Sequence, residues 1–326
     1  MQMRRDLLAI LSDGQFHSGE ALGLALGVSR MAVWKRIRAL RECGVPLEVA
    51  RARGYRLPVS IELLDAMAIQ DGLEPGTRDR LARIDAFLDI DSTSNWLRQS
   101  ALDGAPSGSV CVAEMQSAGR GRRNRHWVSP FAASLYLSLL WRSATGAAEL
   151  GGLSLAVGVA IVRSLRGFGI ETAGLKWPND VLVDGAKLAG ILIDVIGEST
   201  GPCSVIVGIG INVDIPESAA REIDQHWTDL RRLTGRESLS RNRLASIVLD
   251  HTFAAIEEFE RSGLQPFLEE WNRHDVIQDR QISLQLPNEV IHGCARGVDS
   301  GGALLVDTES GQRRFASGEV SLRITP

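Results

Sequence analysis

The stretch SVCVAEMQSAGRGRRNRHWVSPFAASLYLSLLW, residues 109–141, constrains the fold more than any other. Four arginines within six residues, Arg120, Arg122, Arg123 and Arg125, stand between two runs apolar enough to be buried strands. Guanidinium groups packed so densely repel one another, and Gly119 and Gly121 between them favour mobility over a fixed surface. The flanking strands therefore join a sheet while the arginines stay at its rim, in a loop that suits a polyanion. Arginine pairs bidentately with phosphate oxygens, and a glycine-containing loop can close over a nucleotide and order on binding. A solvated loop or a second nucleic-acid contact is the blander alternative, and the position between buried strands favours the nucleotide lid. Phosphate is not held in a standard way: the chain has no GxxxxGK[ST], and the GRGRRN run lacks the last glycine of the dinucleotide fingerprint.

At 326 residues, 44% hydrophobic and 23% charged, the chain is long enough for two or three domains and for cores that need no disulfide or metal. Cys43, Cys111, Cys203 and Cys294 lie far apart without a CxxC pair, which argues against a zinc ribbon or redox motif and fits a reducing compartment. The longest nearly apolar stretch, residues 151–162, is too short to cross a bilayer, and the opening MQMRRDLLAILSDGQ lacks the continuous core of a signal peptide. The expectation is a cytoplasmic protein with no membrane partner.

The formal charge of −4 is unevenly spread. Residues 1–60 carry ten Lys/Arg against five acids, +5, leaving 26 against 35, −9, for the remainder. Within this basic head, residues 4–12 place Leu7, Leu8 and Leu11 on one helical face, residues 19–26 form a second helix ended by Gly27, and Ser29 caps a third whose Val33, Ile37 and Leu40 face inward. Helix, glycine-containing turn and helix is the helix-turn-helix pattern. It brings Ser29, Arg30 and Lys35 to the end where such motifs meet base edges and phosphates. The following VPLEVARARGYRL alternates about a turn as a two-stranded wing carrying Arg51 and Arg53. Any small helical bundle has basic residues on its wet face; the turn, cap and wing together favour DNA binding. Residues 60–83 look like a helix and connector broken at Glu74-Pro75-Gly76.

Beyond residue 84 short apolar strands mix with helices. Ser92, Thr93 and Ser94 follow a strand and can cap a helix or grip a polar ligand. Residues 151–168 read as a core helix. In GLKWPNDVLVDGAKLAGILIDVIG, Lys176 and Trp177 precede Pro178, Asn179 and Asp180 present an amide and a carboxylate at a turn, and Asp184-Gly185 joins two strands as a hairpin. Lys187 stands just past that turn among apolar residues, where its ammonium could meet a carboxylate or phosphate. A strand over residues 204–209 leads through Gly210 to Asn212. Helical patterns cover residues 229–260, interrupted at Gly235, and 264–274. Short strands with turns at Pro287-Asn288, Gly297 and Ser310-Gly311 give residues 280–326 the composition of a small β-barrel.

The motifs GRGRRNRHWVSPFAASLYLS, KWPNDVLVDGAKLAGIL, GIGINV and the terminal SGEVSLRIT together resemble the biotin protein ligases, and with the winged head the resemblance extends over the whole chain to the bifunctional ligase/repressor members. It implies an α+β multidomain fold: a winged helix-turn-helix at 1–60, a linker at 61–83, a mixed α/β catalytic domain of the biotin/lipoate ligase type at 84–274, and a small SH3-like β-barrel at 275–326. It also implies two half-reactions. Biotin and Mg-ATP give biotinyl-5′-adenylate and pyrophosphate, and a lysine of the biotin carboxyl carrier protein of acetyl-CoA carboxylase then attacks. No protein-ligated metal is implied.

By the same resemblance, Ser92, Thr93, Ser94, Gln116, Gly119 and Arg120 contact biotin; Arg120, Arg122 and Arg123 belong to a loop ordered by adenylate; and Trp127 closes over the adenine side. Lys187 is the activating cation, with Gly190 nearby. Lys176, Asn179, Asp180, Asn212 and Arg323 complete the ligand or acceptor site, Asp180 orienting the incoming lysine. Adenylate is expected to favour a homodimer that sets two heads on a palindromic operator. Two residues depart from the family: Ser94 stands where Asn is frequent, and Asn124 replaces the loop's last glycine. A lipoate ligase, and a transcription factor that senses a ligand without turnover, are the competing readings.

Overall fold

The computed structural model describes residues 2–236, 239–286, 289–316 and 321–324. The head folds from its caps. Helix α1 (Gln2–Leu11) precedes α2 (Gly19–Leu26), whose first turn is capped by Ser18, and α3 (Arg30–Glu42), whose Ala32 amide donates to Ser29 Oγ at 3.2 Å. Leu7, Leu8, Leu11, Val33, Ile37 and Leu40 are buried together as the spacing predicts. Strands β1 (Glu48–Ala50) and β2 (Gly54–Arg56) form the antiparallel wing.

The stretch read as a helix and connector is two short helices, α4 (Ala66–Asp71) and α5 (Pro75–Arg80), and Pro75 opens the second instead of breaking the chain, because a first-turn position needs no backbone donor. Leu64, Ile69 and Leu73 are buried in the central core. Strand β3 (Arg83–Phe87) crosses over through α6 (Thr93–Leu102) to pair in parallel with β4 (Ser109–Ala113). Then follow β5 (Ser134–Ser143), α7 (Leu153–Arg166), β6 (Gly174–Lys176), β7 (Asp180–Val183), β8 (Ala186–Ile196) and β9 (Cys203–Asn212). Among the described residues the seven strands lie in the order β3-β4-β5-β9-β8-β7-β6. After the short α8 (Glu217–Ala220) and α9 (Leu230–Thr234), α10 (Arg241–Ser262) packs beside α7, and α11 (Leu268–His274) leads to the tail.

The tail is an antiparallel sheet of β10 (Gln281–Gln285), β11 (Val290–Val298), β12 (Leu304–Thr308), β13 (Gly311–Phe315) and β14 (Ser321–Ile324), ordered β13-β12-β11-β10-β14. The turn expected at Pro287-Asn288 and the SGEV of the terminal motif lie outside the described residues. Trp177 Nε1 donates to Gly302 O at 3.1 Å and joins this tail to the central sheet. No helix among the described residues is long and apolar enough to cross a membrane.

Successive side chains of a strand point to opposite faces. In β9, Val205, Val207, Ile209 and Ile211 enter the main core with α7 and α10, and Leu135, Leu137 and Leu139 of β5 join them. Among the alternate positions, Ser138, Gly208 and Gly210 are small and leave space on the other face of the sheet, beside Tyr136. Farther along that face Leu97 and Ala101 of α6 cover Cys111, Leu140 and Ile206.

Two seams tie the parts together. Arg241 and Glu114, 4% and 1% exposed, form an ion pair at 2.7 Å; Glu114 Oε1 also accepts from Leu64 N at 2.5 Å, and Arg241 Nη2 donates to Glu62 O at 2.6 Å. The head's apolar cluster also includes Leu88 and Phe131 of the body, with Met115 and Ala132 packed against it.

Removing one partner of a buried ion pair strands the other, so Arg241→Ala is expected to lower stability by about 3–5 kcal/mol, read by chemical denaturation. Asp275, where α11 meets the tail, is a second test. Burial pushes its carboxyl up to about 6 from an ordinary 3.8. The folded state therefore holds this proton more tightly than the unfolded chain, and the contribution to stability falls as pH rises from about 4 to 6. Asp275→Asn should flatten that decline in melting temperature against pH.

Candidate active site

This second face of the sheet is the floor of a cavity of about 650 Å³ roofed by residues 120–128. Gly190 and Gly210 are register partners on β8 and β9, and the Trp127 indole lies on them. A Cβ at Gly210 would stand 2.7 Å from the ring, and one at Gly190 2.8 Å, so neither position admits a side chain while the ring is there. The buried Trp127 Nε1 has no acceptor among the described residues.

Lys187 is positioned through its backbone. Its amide donates to His226 O and its carbonyl accepts from Thr228 N, both at 3.0 Å, so the segment after α8 runs beside it as a short parallel bridge. Asn212 Nδ2 donates to Thr228 O at 3.0 Å and to Lys187 O at 3.4 Å. This buried amide is outside the cavity lining and acts on the lysine's support. The ammonium reaches 2.8 Å from Asp180 Oδ1 and 5.2 Å from the centre of the Trp127 ring, with lysine and aspartate side chains only 15% and 20% exposed. Asp180 pairs with Gly190 across β7 and β8, Asn179 donates to Ile191 O at 2.8 Å, and Lys176 at the end of β6 lines the same cavity.

The arginine segment takes the form of a hairpin. Backbone bonds cross it: Trp127 N donates to Gly119 O at 2.9 Å and Gly121 N to Arg125 O at 2.7 Å, and the turn at Arg122–Asn124 is closed by Arg125 N donating to Arg122 O at 3.2 Å. Gly119 lies behind the lining, where a Cβ would meet Ser129 Oγ and Trp127 O at 2.5 Å. Asn124 has φ 56°, a left-handed conformation that Asn tolerates better than most residues, so the departure from glycine keeps the turn. Arg120 is ion-paired to Asp194 of β8, and Arg122 donates to Asn179 Oδ1 at 3.3 Å. Burial lowers the Arg122 guanidinium from its ordinary value while the Asp180 charge works the other way. Arg122 and Arg123 both line the cavity.

At the far end a hydroxyl cluster gathers. Ser92 caps α6, Thr93 N donates to Gln116 Oε1 at 2.9 Å, and the Thr93 and Ser94 hydroxyls lie 2.8 and 3.0 Å from Ser138 Oγ. Gln116 Nε2 in turn donates to Ser129 Oγ at 3.1 Å. Such a cluster offers both donors and acceptors to a flat polar head group, beside an apolar glycine floor and a cationic rim. Sequence reasoning missed Ser138 and Asp194, although a lone serine in LYLSLL and a lone aspartate in GILIDVI were available signals. It also missed Glu222 and Asp224, which line the same cavity. The Arg323 side chain lies outside the described residues.

On the head, the Ser29 hydroxyl is occupied by its cap, and the exposed Arg30 lies 3.5 Å from Glu20. Lys35 is exposed on α3; Arg51 and Arg53 occupy the wing turn, the latter stacked 4.1 Å from the Phe16 ring centre.

Three family models match: the HTH domain over residues 3–56, the Biotin/lipoate A/B protein ligase family over 87–212 and the Biotin protein ligase C terminal domain over 279–323. The bifunctional ligase/repressor BirA of Salmonella typhimurium is 40% identical over 317 residues, 97% of this chain and 96% of that protein. The chain belongs to the biotin protein ligase family. It is accordingly an enzyme of the ligase class, with an HTH domain attached. The biotin–[acetyl-CoA-carboxylase] ligase of Mycobacterium tuberculosis is 33% identical over 263 residues, 79% of this chain and 95% of that relative. Among solved structures, the biotin protein ligase from Aquifex aeolicus in complex with biotin and ATP superposes with a TM-score of 0.64 at 29% identity, covering 75% of this chain and all of that one.

The Arg120–Asp194 pair ties the hairpin to β8 beside the cavity, so breaking it from either side should loosen retention of a ligand bound there. Arg120→Gly and Asp194→Ala are both expected to speed dissociation of labelled biotin several-fold in the presence of ATP; wild-type retention in both variants would contradict that role.

Proposed function

We propose that the chain is an ATP-dependent biotin protein ligase that forms biotinyl-5′-AMP and passes the biotinyl group to a lysine of the biotin carboxyl carrier protein, and that its adenylate-bound homodimer represses biotin biosynthesis genes. The observation that carries the catalytic reading is the Lys187–Asp180 pair, mostly buried within a cavity whose rim is arginine and whose far end is hydroxyl. Family membership and the relative solved with biotin and ATP support the choice of ligands.

In the first half-reaction a biotin carboxylate oxygen attacks the α-phosphorus of ATP, and the bond to the bridging oxygen breaks as pyrophosphate leaves. Negative charge accumulates on the equatorial oxygens of phosphorus, and an ammonium at the end of Lys187 stabilises it more strongly in a desolvated cavity than in water. Arg120, Arg122 and Arg123 supply cations for the remaining phosphates. Magnesium arrives with ATP as part of the co-substrate. Trp127 and the Gly190–Gly210 floor exclude water from the mixed anhydride, while Ser92, Thr93, Ser94 and Gln116 offer hydrogen bonds to the ureido group of biotin. Lys176 and Asn179 line the phosphate side with them, and Arg323 completes the acceptor side.

In the second half-reaction the neutral ε-amine of the carrier lysine attacks the acyl carbon, AMP departs with the bonding pair, and the amine loses a proton. Asp180 is the counter-ion of Lys187 until Lys187 turns to the phosphate; its freed carboxylate then orients the amine. Demand for biotin competes with repression, because unbiotinylated carrier consumes the adenylate that favours the dimer. Ser29, Arg30, Lys35, Arg51 and Arg53 meet the operator. The four free cysteines suit a reducing cytoplasm.

Transfer of labelled biotin to a purified carrier domain, with and without ATP, tests the reading. ATP-dependent labelling is expected, falling about 100-fold or more in a folded Lys187→Ala protein; equal activation of lipoate would overturn the substrate. Biotin binding without transfer would leave a ligand-sensing regulator.

A further inference from the structure

The basic residues of α3 were the expected readers of DNA, and two large apolar side chains share its exposed face with them. Met31 is 61% and Trp34 46% exposed, one turn apart in the N-terminal half of the helix, while Val33, Ile37 and Leu40 fill the core behind them. The polar groups beside them are engaged, Ser29 in the helix cap and Arg30 beside Glu20. A groove of about 530 Å³ runs from Trp34 past Ile37 and Arg38 to Val49 and Tyr55, between α3 and the wing.

We propose that Met31 and Trp34 are specificity-determining residues of the head and contact the C5-methyl groups of thymine in the major groove. This rests on the reading of the head as operator-binding and names which base chemistry it selects. The thymine methyl is the one apolar group on a major-groove base edge, and apolar side chains are its fitting partners. Charge decides for a duplex over other occupants. Lys35, Arg38 and Arg41 are exposed on the same helix, and Arg51 and Arg53 stand on the wing, so the apolar pair is flanked by cations on both sides. Two phosphate rails enclosing methyl-bearing base edges match that arrangement; Arg38 lies over the Trp34 ring, 5.9 Å from its centre, and is paired at 2.8 Å with the exposed Glu42, which a phosphate would replace. Arg30 and Lys35 then position the helix, and the methyl contacts choose the sequence.

The test uses the full-length protein with biotin and ATP. Duplexes are selected from a random DNA pool, and the selected sequence is resynthesised with uracil replacing thymine, which deletes only the methyl groups. Loss of each contacted methyl is expected to weaken wild-type binding by about four-fold in Kd, from the burial value of one methyl-sized group. Met31→Ala and Trp34→Ala should bind the thymine duplex more weakly and lose part of the difference between thymine and uracil, while carrier biotinylation is unchanged; Trp34→Phe should keep it. Equal wild-type affinity for the two duplexes, with sequence-specific binding intact, overturns the proposal and leaves the operator reading standing. An undiminished uracil effect in both alanine variants overturns the assignment to these residues, as does a Trp34→Ala protein altered only in self-association, which would make the groove an interface between copies. Failure to enrich any duplex removes the operator reading itself, and this proposal with it.

Discussion

The ion pair between Glu114 and Arg241 stands where four segments of the chain meet. Glu114 ends the strand that enters the arginine hairpin, Arg241 begins the long helix that covers the sheet, and between them they bind the backbone of Glu62 and Leu64 in the segment leading from the head. Nearby Arg5 of the first helix bonds to the Leu64 and Ala86 carbonyls and lies 3.7 Å from Asp65. Two charges taken out of water are costly unless each keeps its partner and its other hydrogen bonds. None of these segments can slide without leaving a charge stranded, so the pair fixes their register in a way that apolar contacts, which tolerate small slips, do not.

That fixed register is what the active site depends upon. One face of the sheet is filled by Val, Ile and Leu against α7 and α10, and on the other face Ser138, Gly208 and Gly210 leave room beside Tyr136. The same period-two rule therefore builds a core and a binding floor from one set of strands. Trp127 closes the floor, and the segment through His226 and Thr228 holds Lys187 from behind, so the cationic group is aimed by backbone bonds instead of by the flexible four-carbon stem alone.

Much of this was legible in the chain. The caps at Ser18 and Ser29 and the leucine spacing are local signals, and they yield the head almost residue by residue. The Asp184-Gly185 turn likewise announces the hairpin that carries Lys187. The site was legible where motifs concentrate it, at Gln116 to Trp127 and Lys176 to Gly190. Its supports were not. Asp194 meets Arg120 across 74 positions, and Asn212 supports Lys187 from another strand; each residue stands out locally, but its partner depends on sheet order. The partners of the hairpin's arginines were hidden for a related reason: counting like charges predicts repulsion, but Arg120 meets Asp194 and Arg122 meets Asn179 once the fold exists. Residues 61–83 looked like a helix and connector because Glu74-Pro75-Gly76 reads as a break, yet Leu64, Ile69 and Leu73 are all buried in the body.

The head's apolar cluster shares Leu88 and Phe131 with the body and packs against Met115, residues that include both stems of the arginine hairpin. A shortened protein that begins after the wing would present those side chains to water at the base of the catalytic roof. Loss of the head is thus an injury to the enzyme as well as to the regulator. A lineage that discards DNA binding must first repaint this patch with polar residues or cover it with something else.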